Sequence, residues 1–469
     1  MWTASRFSVC KHLKRGRKRG ISFSTSHAQE YKRWATTSSL FLPTRDLPEV
    51  QMASNPSHKL MLRGGLIRQS CSGIYHFLPM GQRALDKLSQ LVHSAMGRIG
   101  AQKMAMPFLT PATLWKKTGR WDSVGHQLFR LKDWRGTDYC LGPTHEESVT
   151  DLVKQELSSY RQLPLRLYQL DRKFRDEERP QYGLLRCREF WMKDLYTFDR
   201  TPEASLDTYH QVCKAYENLL LNQLQLPALK VQAATGDIGG NLSHEYHLPS
   251  PIGMDTLITC QRCGVGASGE LLDDMHSSKL PNCPQEGEHC DLNSCKGIEI
   301  AHSFLLGTKY SSAFGLTYKD SGGNKTLVEM GCYGVGVSRL LAAALEVGCE
   351  RGGGERLIWP RPIAPFHVCV LPYVHDPSDP LMRVCEELCA LLEGVCPGEV
   401  VLEDRTHLTL GARRRDTELA GYPITVVVGK KTPEDHYELS IQGDYEWTSH
   451  TVNKETLLDM IKTSYLTVS

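Results

Sequence analysis

Apolar positions recur along this chain with two periods, and the places where the period changes outline its elements. Between Gly81 and Gly100, Leu85, Leu88, Leu91, Val92, Met96 and Ile99 fall at helical spacing, and Gly100 is placed to stop the helix. Lys103 to Leu109 reads as a strand, and because Pro107 cannot donate to a ladder the strand is expected at an edge or interface. Strand-like segments follow at Gln127 to Leu131, Asp138 to Leu141, Leu167 to Phe174, Glu189 to Phe198 and Leu229 to Ala233. Helix-like ones, His145 to Leu157 and Pro202 to Leu224, interrupt them. Strands in succession without a regular crossover helix predict a mixed or antiparallel α+β domain rather than a doubly wound one. Order is expected to begin near residue 50, with the domain covering 50–350.

A Gly triplet and Pro360, Pro362 and Pro365 mark residues 351–364 as a linker. Beyond it the pattern alternates: strand from Phe366 to Pro372, helix from Leu381 to Leu392, strand from Glu399 to Leu402, helix from Ala412 to Ala420, strand from Ile424 to Gly429, then further strands and a last helix. Residues 365–469 therefore read as a compact α/β domain of about a hundred residues.

With 469 residues the chain is long enough for two or three domains. No apolar run approaches the roughly 18 residues that span a bilayer, so membrane insertion is not expected. The net charge of +2 conceals an asymmetry. Arg6, Lys11, Lys14, Arg15, Arg17, Lys18 and Arg19 all precede the first acidic residue, Glu30, leaving the remainder slightly acidic. A basic, Ser-containing, acid-free start predicts a mitochondrial import segment over 1–29 and a matrix location. A basic nucleic-acid-binding tail fits the cluster too, but the acid-free stretch runs well past it. The 16 cysteines are scattered and follow no secretory leader, so reduced thiols are expected.

Three local patterns carry chemistry. The first is the long helix followed by the Pro107 strand. The second is Phe174-Arg175-Asp176-Glu177, a loop with Arg179, Pro180 and Gly183, then Arg186-Cys187-Arg188-Glu189-Phe190. By itself this reads as a charged hairpin of solvated ion pairs. The third is Gly331-Cys332-Tyr333-Gly334-Val335-Gly336-Val337-Ser338-Arg339, leading into an apolar helix. A dinucleotide turn is the alternative there, but Arg339 would be misplaced for it and no acidic partner follows about 20 residues on.

In this order the three patterns resemble motifs one, two and three of the class II aminoacyl-tRNA synthetases. The resemblance implies that motif one forms a homodimer and that ATP and Mg2+ are the cofactors, with Mg2+ ligands unassigned. Adenylation needs a fixed cation where negative charge grows on the α-phosphate, and Arg175 is the residue placed there, because a planar bidentate donor can align carboxylate and phosphate. The family likeness implies that Glu177 faces the adenine amino group, Phe190 stacks on adenine and Arg186 reaches the outer phosphates. It further implies that Gly334 and Gly336 admit the nucleotide while Arg339 binds the γ-phosphate and covers the adenine.

Further segments resemble the prolyl enzymes of that class: Leu60-Met61-Leu62-Arg63, Gly119-Arg120-Trp121, Gly142-Pro143-Thr144-His145-Glu146-Glu147 and Met192-Lys193-Asp194. The resemblance implies L-proline, ATP and tRNA(Pro) as substrates. Thr144 and Glu146 would hold the protonated secondary amine, since a carboxylate facing a buried cation selects it. Arg175 would meet the carboxylate. His302 and Phe304 would wall the ring pocket, with Cys332 nearby. A nucleophilic role for Cys332 is rejected, because adenylation needs no covalent enzyme intermediate.

Only about 55 residues separate Ser243-His244-Glu245 from the strand at Glu299, leaving no room for the large editing insertion of many bacterial prolyl enzymes. The short segment 255–297 holds Cys260 and Cys263 in a Cys-x-x-Cys knuckle, then Cys283, Cys290 and Cys295. Cys260 and Cys263 are zinc candidates, but the later cysteines lack matching spacing and no metal is assigned. The C-terminal domain resembles the anticodon-binding module of the class, with Arg405, Arg413, Arg414, Arg415, Lys430 and Lys431 as cations for RNA. Two rivals remain open: a synthetase for another amino acid, and a catalytically dead accessory subunit. Retention of Arg175, Arg186 and Arg339 disfavours the second.

Overall fold

A computed structural model describes residues 34–44, 53, 55–274, 280–281, 283–284, 291–354, 356–443 and 447–466. The import segment expected over 1–29 lies outside the described residues. Among the described residues no helix is long and apolar enough to cross a membrane.

The larger, N-terminal part is built on a nine-stranded sheet, as the α+β reading requires. In spatial order its strands are Leu242–Pro249, Leu229–Gln232, Gly266–Ser268, Asp255–Cys260, Leu292–Gly307, Glu329–Gly336, Glu189–Asp199, Leu165–Phe174 and Gln102–Lys103. The central four are antiparallel neighbours whose register sets which side chains share a face. Phe304 faces Cys332, which faces Tyr196; His302 faces Gly334, which faces Asp194. Because successive strand residues alternate, Ile300, His302 and Phe304, then Cys332, Gly334 and Gly336, then Phe190, Met192 and Asp194 lie on one face.

The opposite face is covered by helices. Pro79–Arg98 begins with Pro at its first turn and buries Leu85, Leu88, Val92 and Met96, the apolar stripe visible in the sequence. Val337–Arg351 buries nearly all of its residues, and Pro202–Glu217 brings Tyr209 to within 5.9 Å of Tyr333, ring to ring. One core thus joins sheet and helices.

The expected Pro107 strand is broken in two. Gln102–Lys103 forms the sheet edge, whereas Leu109–Pro111 pairs with Asp138–Leu141 in a separate three-stranded sheet. Pro107 sits between them, where its missing N–H disrupts no ladder and its carbonyl meets His145 Nε2 at 2.9 Å.

The C-terminal half is a six-stranded sheet carrying the helices Pro380–Val395, Leu410–Ala420 and Lys454–Leu466. Its edge corrects the expectation that order begins near residue 50. Ala35–Thr36 adds a parallel strand against Val401 and Leu402, and the Ser38 N–H donates to Asp404 Oδ1 at 2.8 Å. The Pro/Gly stretch expected as a linker is packed: Leu357, Trp359, Ile363 and Ala364 are buried, and Trp359 Nε1 donates to the Ala420 carbonyl at 2.9 Å.

Candidate active site

Two adjoining cavities open on the exposed face of the central strands. The outer one, about 300 Å3, is lined by Arg175, Glu177, Arg186, Met254, Glu299 and Arg339, among others. The inner one, about 190 Å3, is lined by Thr144, Glu146, Phe190, His302, Phe304 and Cys332, with Gly334 and Gly336 in its wall. Arg175, Glu299 and Arg339 border both. The residues singled out in the sequence for nucleotide and amino acid, drawn from five separate stretches, are therefore brought together.

The strands Leu165–Phe174 and Glu189–Asp199 pair up to Phe174 and Glu189, so Arg175 is the first residue beyond the ladder. Its N–H still bonds the Arg188 carbonyl at 2.9 Å, which fixes the backbone while the guanidinium projects over the Phe190 ring at 5.3 Å. Among the described residues that guanidinium has no hydrogen-bond or ion-pair partner. Burial and the neighbouring Arg339 lower its pKa, outweighing the opposing charges of Glu299 and Glu146.

Arg339, on the first turn of Val337–Arg351, is anchored instead. It donates to the Leu185 carbonyl at 2.9 Å and to the Glu299 carboxylate at 2.9 Å. Burial would raise the Glu299 pKa, but the His302 hydrogen bond and the Arg339 charge overcome it and hold that carboxyl well below its usual range. Glu177 and Arg186 form an ion pair at 2.7 Å across the outer cavity. A Cβ at Gly334 would meet only Met192 Sδ, at 3.9 Å, so the glycine leaves open space on the cavity side.

The inner cavity is charged at its floor. Glu146 is fully buried at the start of the helix Glu146–Glu156 and accepts from Thr144 Oγ1 at 2.8 Å, Cys332 Sγ at 3.0 Å and Arg120 Nη1 at 3.2 Å. Arg120 also pairs with Glu147 at 3.0 Å and lies over the Trp115 ring. Burial penalises both carboxylates; the Arg120 charge keeps Glu146 low, whereas Glu147, facing Glu146, is pushed up. Burial and the Glu146 charge also raise the Cys332 thiol well above its ordinary value, so it remains a thiol that donates.

The Thr144 loop is braced from behind. The His145 N–H donates to Tyr196 Oη at 2.8 Å, Tyr196 donates to Asp194 at 2.8 Å, and Lys173 closes the chain on Asp194 at 2.7 Å. His302 stacks on Phe304 with centroids 3.8 Å apart, and its Nε2 meets Ser243 Oγ at 2.9 Å. Glu299 was missed by sequence reasoning, and Arg120 and Asp194 had been noted without a role. The Gly119-Arg120-Trp121 and Met192-Lys193-Asp194 segments were signals for the last two; nothing local marks Glu299.

Known proteins match along both halves. Residues 129–348 match the family model of the tRNA synthetase class II core domain (G, H, P, S and T), and residues 367–464 match the anticodon binding domain. The Homo sapiens protein named "Probable proline--tRNA ligase, mitochondrial" is 46% identical over 86% of this chain and 84% of its own length. The chain belongs to the proline-tRNA ligases. A Schizosaccharomyces pombe member with the same name is 40% identical, covering 87% of this chain and 94% of its own. The Ehrlichia chaffeensis proline-tRNA ligase is 39% identical over 81% of this chain and 88% of its own. A crystal structure of the Cryptosporidium parvum prolyl-tRNA synthetase with halofuginone and AMPPNP superposes with a TM-score of 0.69. At 17% identity, covering 87% of this chain and 76% of that one, it shows the shared fold.

For this proline-tRNA ligase the anticodon-side cations need correction. Arg413 is fully buried and donates to the Val374 carbonyl, while Arg405 is tied to Glu403 at 2.6 Å and Asp416 at 3.1 Å. Both serve the fold of the C-terminal domain rather than RNA. Arg413 lies in a run of three arginines and Arg405 follows two acidic residues, and sequence alone does not tell which of these side chains is held by the domain itself. Arg414, Arg415, Lys430 and Lys431 are exposed.

Proposed function

We propose that this synthetase activates L-proline as prolyl-adenylate and transfers it to tRNA(Pro) in the mitochondrial matrix. The observation that carries the reading is a small acid-floored cavity joined, at an unpartnered Arg175, to a larger one lined by the other motif arginines. Proline's ammonium would sit on Thr144 and Glu146, its ring against Phe304, His302 and Ile238, and its carboxylate beside Arg175. ATP would occupy the outer cavity with its adenine near Glu177 and its outer phosphates toward Arg186 and Arg339, while Phe190, expected to stack on the adenine, lines the inner cavity under the Arg175 guanidinium.

A carboxylate oxygen of proline attacks the α-phosphorus, the P–O bond to the β-phosphate breaks and pyrophosphate leaves with the electron pair. Arg175 stabilises charge growing on the α-phosphate oxygens and aligns the reactants. The terminal ribose hydroxyl of tRNA then attacks the acyl carbon, AMP departs and the hydroxyl proton is lost to solvent. Mg2+ supplies charge neutralisation on the phosphates when bound. Glu299 suits it, since this hard ion takes one or two carboxylates plus phosphate oxygens, and Glu245 lies close enough to share it.

The mitochondrial names of the relatives and the acid-free basic start support the matrix location. Exposed Phe108, Leu109, Leu131 and Trp134, around the small three-stranded sheet beyond the motif-one helix, support a homodimer. Sedimentation at the mass of two chains is expected; a single chain at micromolar concentration would overturn that assignment. Exposed Arg414, Arg415, Lys430 and Lys431 offer RNA-backbone contacts.

No editing in cis is proposed, because the described part of the segment before Leu292–Gly307 is a strand pair and a short helix, Gly269–Asp274. Alanine will be discriminated only weakly, since missing methylenes are worth about 1 to 3 kcal/mol. ATP/pyrophosphate exchange measured with all twenty amino acids should respond to proline, weakly to alanine, and alanyl-tRNA should persist. Exchange driven instead by threonine, serine or glycine, or none at all, would refute the assigned activity.

A further inference from the structure

Outside the candidate active site, one other group of metal-ligating side chains is gathered among the described residues. Cys260 ends the strand Asp255–Cys260, and Cys263 follows a tight knuckle in which the Gly264 N–H donates to the Cys260 carbonyl at 2.9 Å. Cys283 lies at the same point, although its spacing in the sequence matches no second knuckle. The three Sγ atoms lie within 4.8 Å of one another, and Cys263 Sγ is 3.6 Å from Cys283 Sγ. That separation is far beyond the roughly 2.05 Å of a disulfide. It matches the S···S edge of about 3.8 Å expected when thiolates surround zinc tetrahedrally at about 2.3 Å.

The local core points the same way. Cys260, Ala267 and Leu280 are the buried members of a small cluster, with Ile258, Cys263, Val265, Leu271, Leu272 and Cys283 partly buried around it. The strand Asp255–Cys260 is held in the sheet by Leu292–Gly307, but the turn beyond it rests on these few apolar groups, and segments short of core use a metal as a staple. Cys295, by contrast, stands on Leu292–Gly307 opposite Leu257 and outside the sulfur cluster.

We infer that Cys260, Cys263 and Cys283 bind a structural zinc ion as thiolates, with solvent or an added donor in the fourth position. Soft thiolates at tetrahedral spacing select zinc over the hard cations. The ion pins the far end of the strand whose near end faces the nucleotide cavity. There Met254 Sδ accepts from Arg186 Nη1 at 3.2 Å, and Asp255 lines the wall. The site is thus a positioning device for the outer cavity, independent of which amino acid is activated.

The full chain purified without chelator should carry one equivalent of zinc, and replacement by cobalt should give the visible spectrum of tetrahedral thiolate coordination. Cys260→Ser, Cys263→Ser and Cys283→Ser should each lose the metal and raise KM for ATP more than they lower kcat. Cys295→Ser should keep the metal. A wild-type chain that holds no zinc and gives no such spectrum with added cobalt overturns the inference without reliance on any variant. So does zinc that survives all three substitutions.

Discussion

Arg175→Ala is expected to lower kcat/KM for proline-dependent pyrophosphate exchange by roughly 10³-fold, the scale for removing a preorganised donor from developing oxyanion charge. The same change should leave the melting temperature nearly unchanged. Apart from the Phe190 ring its guanidinium has no hydrogen-bond or ion-pair partner among the described residues, and burial beside Arg339 outweighs the Glu299 and Glu146 charges, so its removal orphans no buried group. Arg175→Lys should recover little, because a point charge does not reproduce a planar donor pair. Exchange within a few-fold of wild type, or a large drop in stability, would contradict the role assigned to this side chain.

The second large effect belongs to a residue that touches no substrate in the proposed pose. Arg120 is buried between two buried carboxylates at 3.0 and 3.2 Å. Arg120→Ala should therefore cost about 3 to 5 kcal/mol of stability, the scale for breaking a buried ion pair from one side. It should also raise KM for proline, because Glu146, deprived of its cation, would take up a proton and lose its hold on the proline ammonium. Adding Glu147→Gln removes one of the stranded charges, so the double variant should be more stable than Arg120→Ala alone. Denaturant unfolding of the four chains measures the coupling. Strict additivity would mean that the two groups do not interact as drawn.

These two arginines show what is legible locally. Arg175 stands out in sequence because it occupies a fixed place in a strand-loop-strand pattern, and the role proposed for it rests on its place just beyond the end of the ladder. Arg120 lies in a recognisable three-residue segment, but its partners are 26 and 27 positions away, and no local period connects them. The same limit explains Arg405 and Arg413, which look like RNA-facing cations, yet Arg405 is held by Glu403 and Asp416 and Arg413 is buried. It also explains Cys283, which lies beside the Cys-x-x-Cys knuckle although 20 positions separate it from Cys263.

Helix and strand periods, glycine and proline punctuation and the order of the three motifs were readable from residues alone, because each is a property of neighbours within a turn or a pleat. Membership of the class II prolyl enzymes was readable for the same reason. Register was not. The pairings His302 with Gly334 and Gly334 with Asp194 turn residues from three distant stretches onto one face, and a slip of one position would have sent them all to the helix side. That choice, together with the burial of Glu146 against Arg120 and the strand added by Ala35–Thr36, is made by packing across the whole sheet. Long-range burial energy decides it, and no short window of sequence carries that sum.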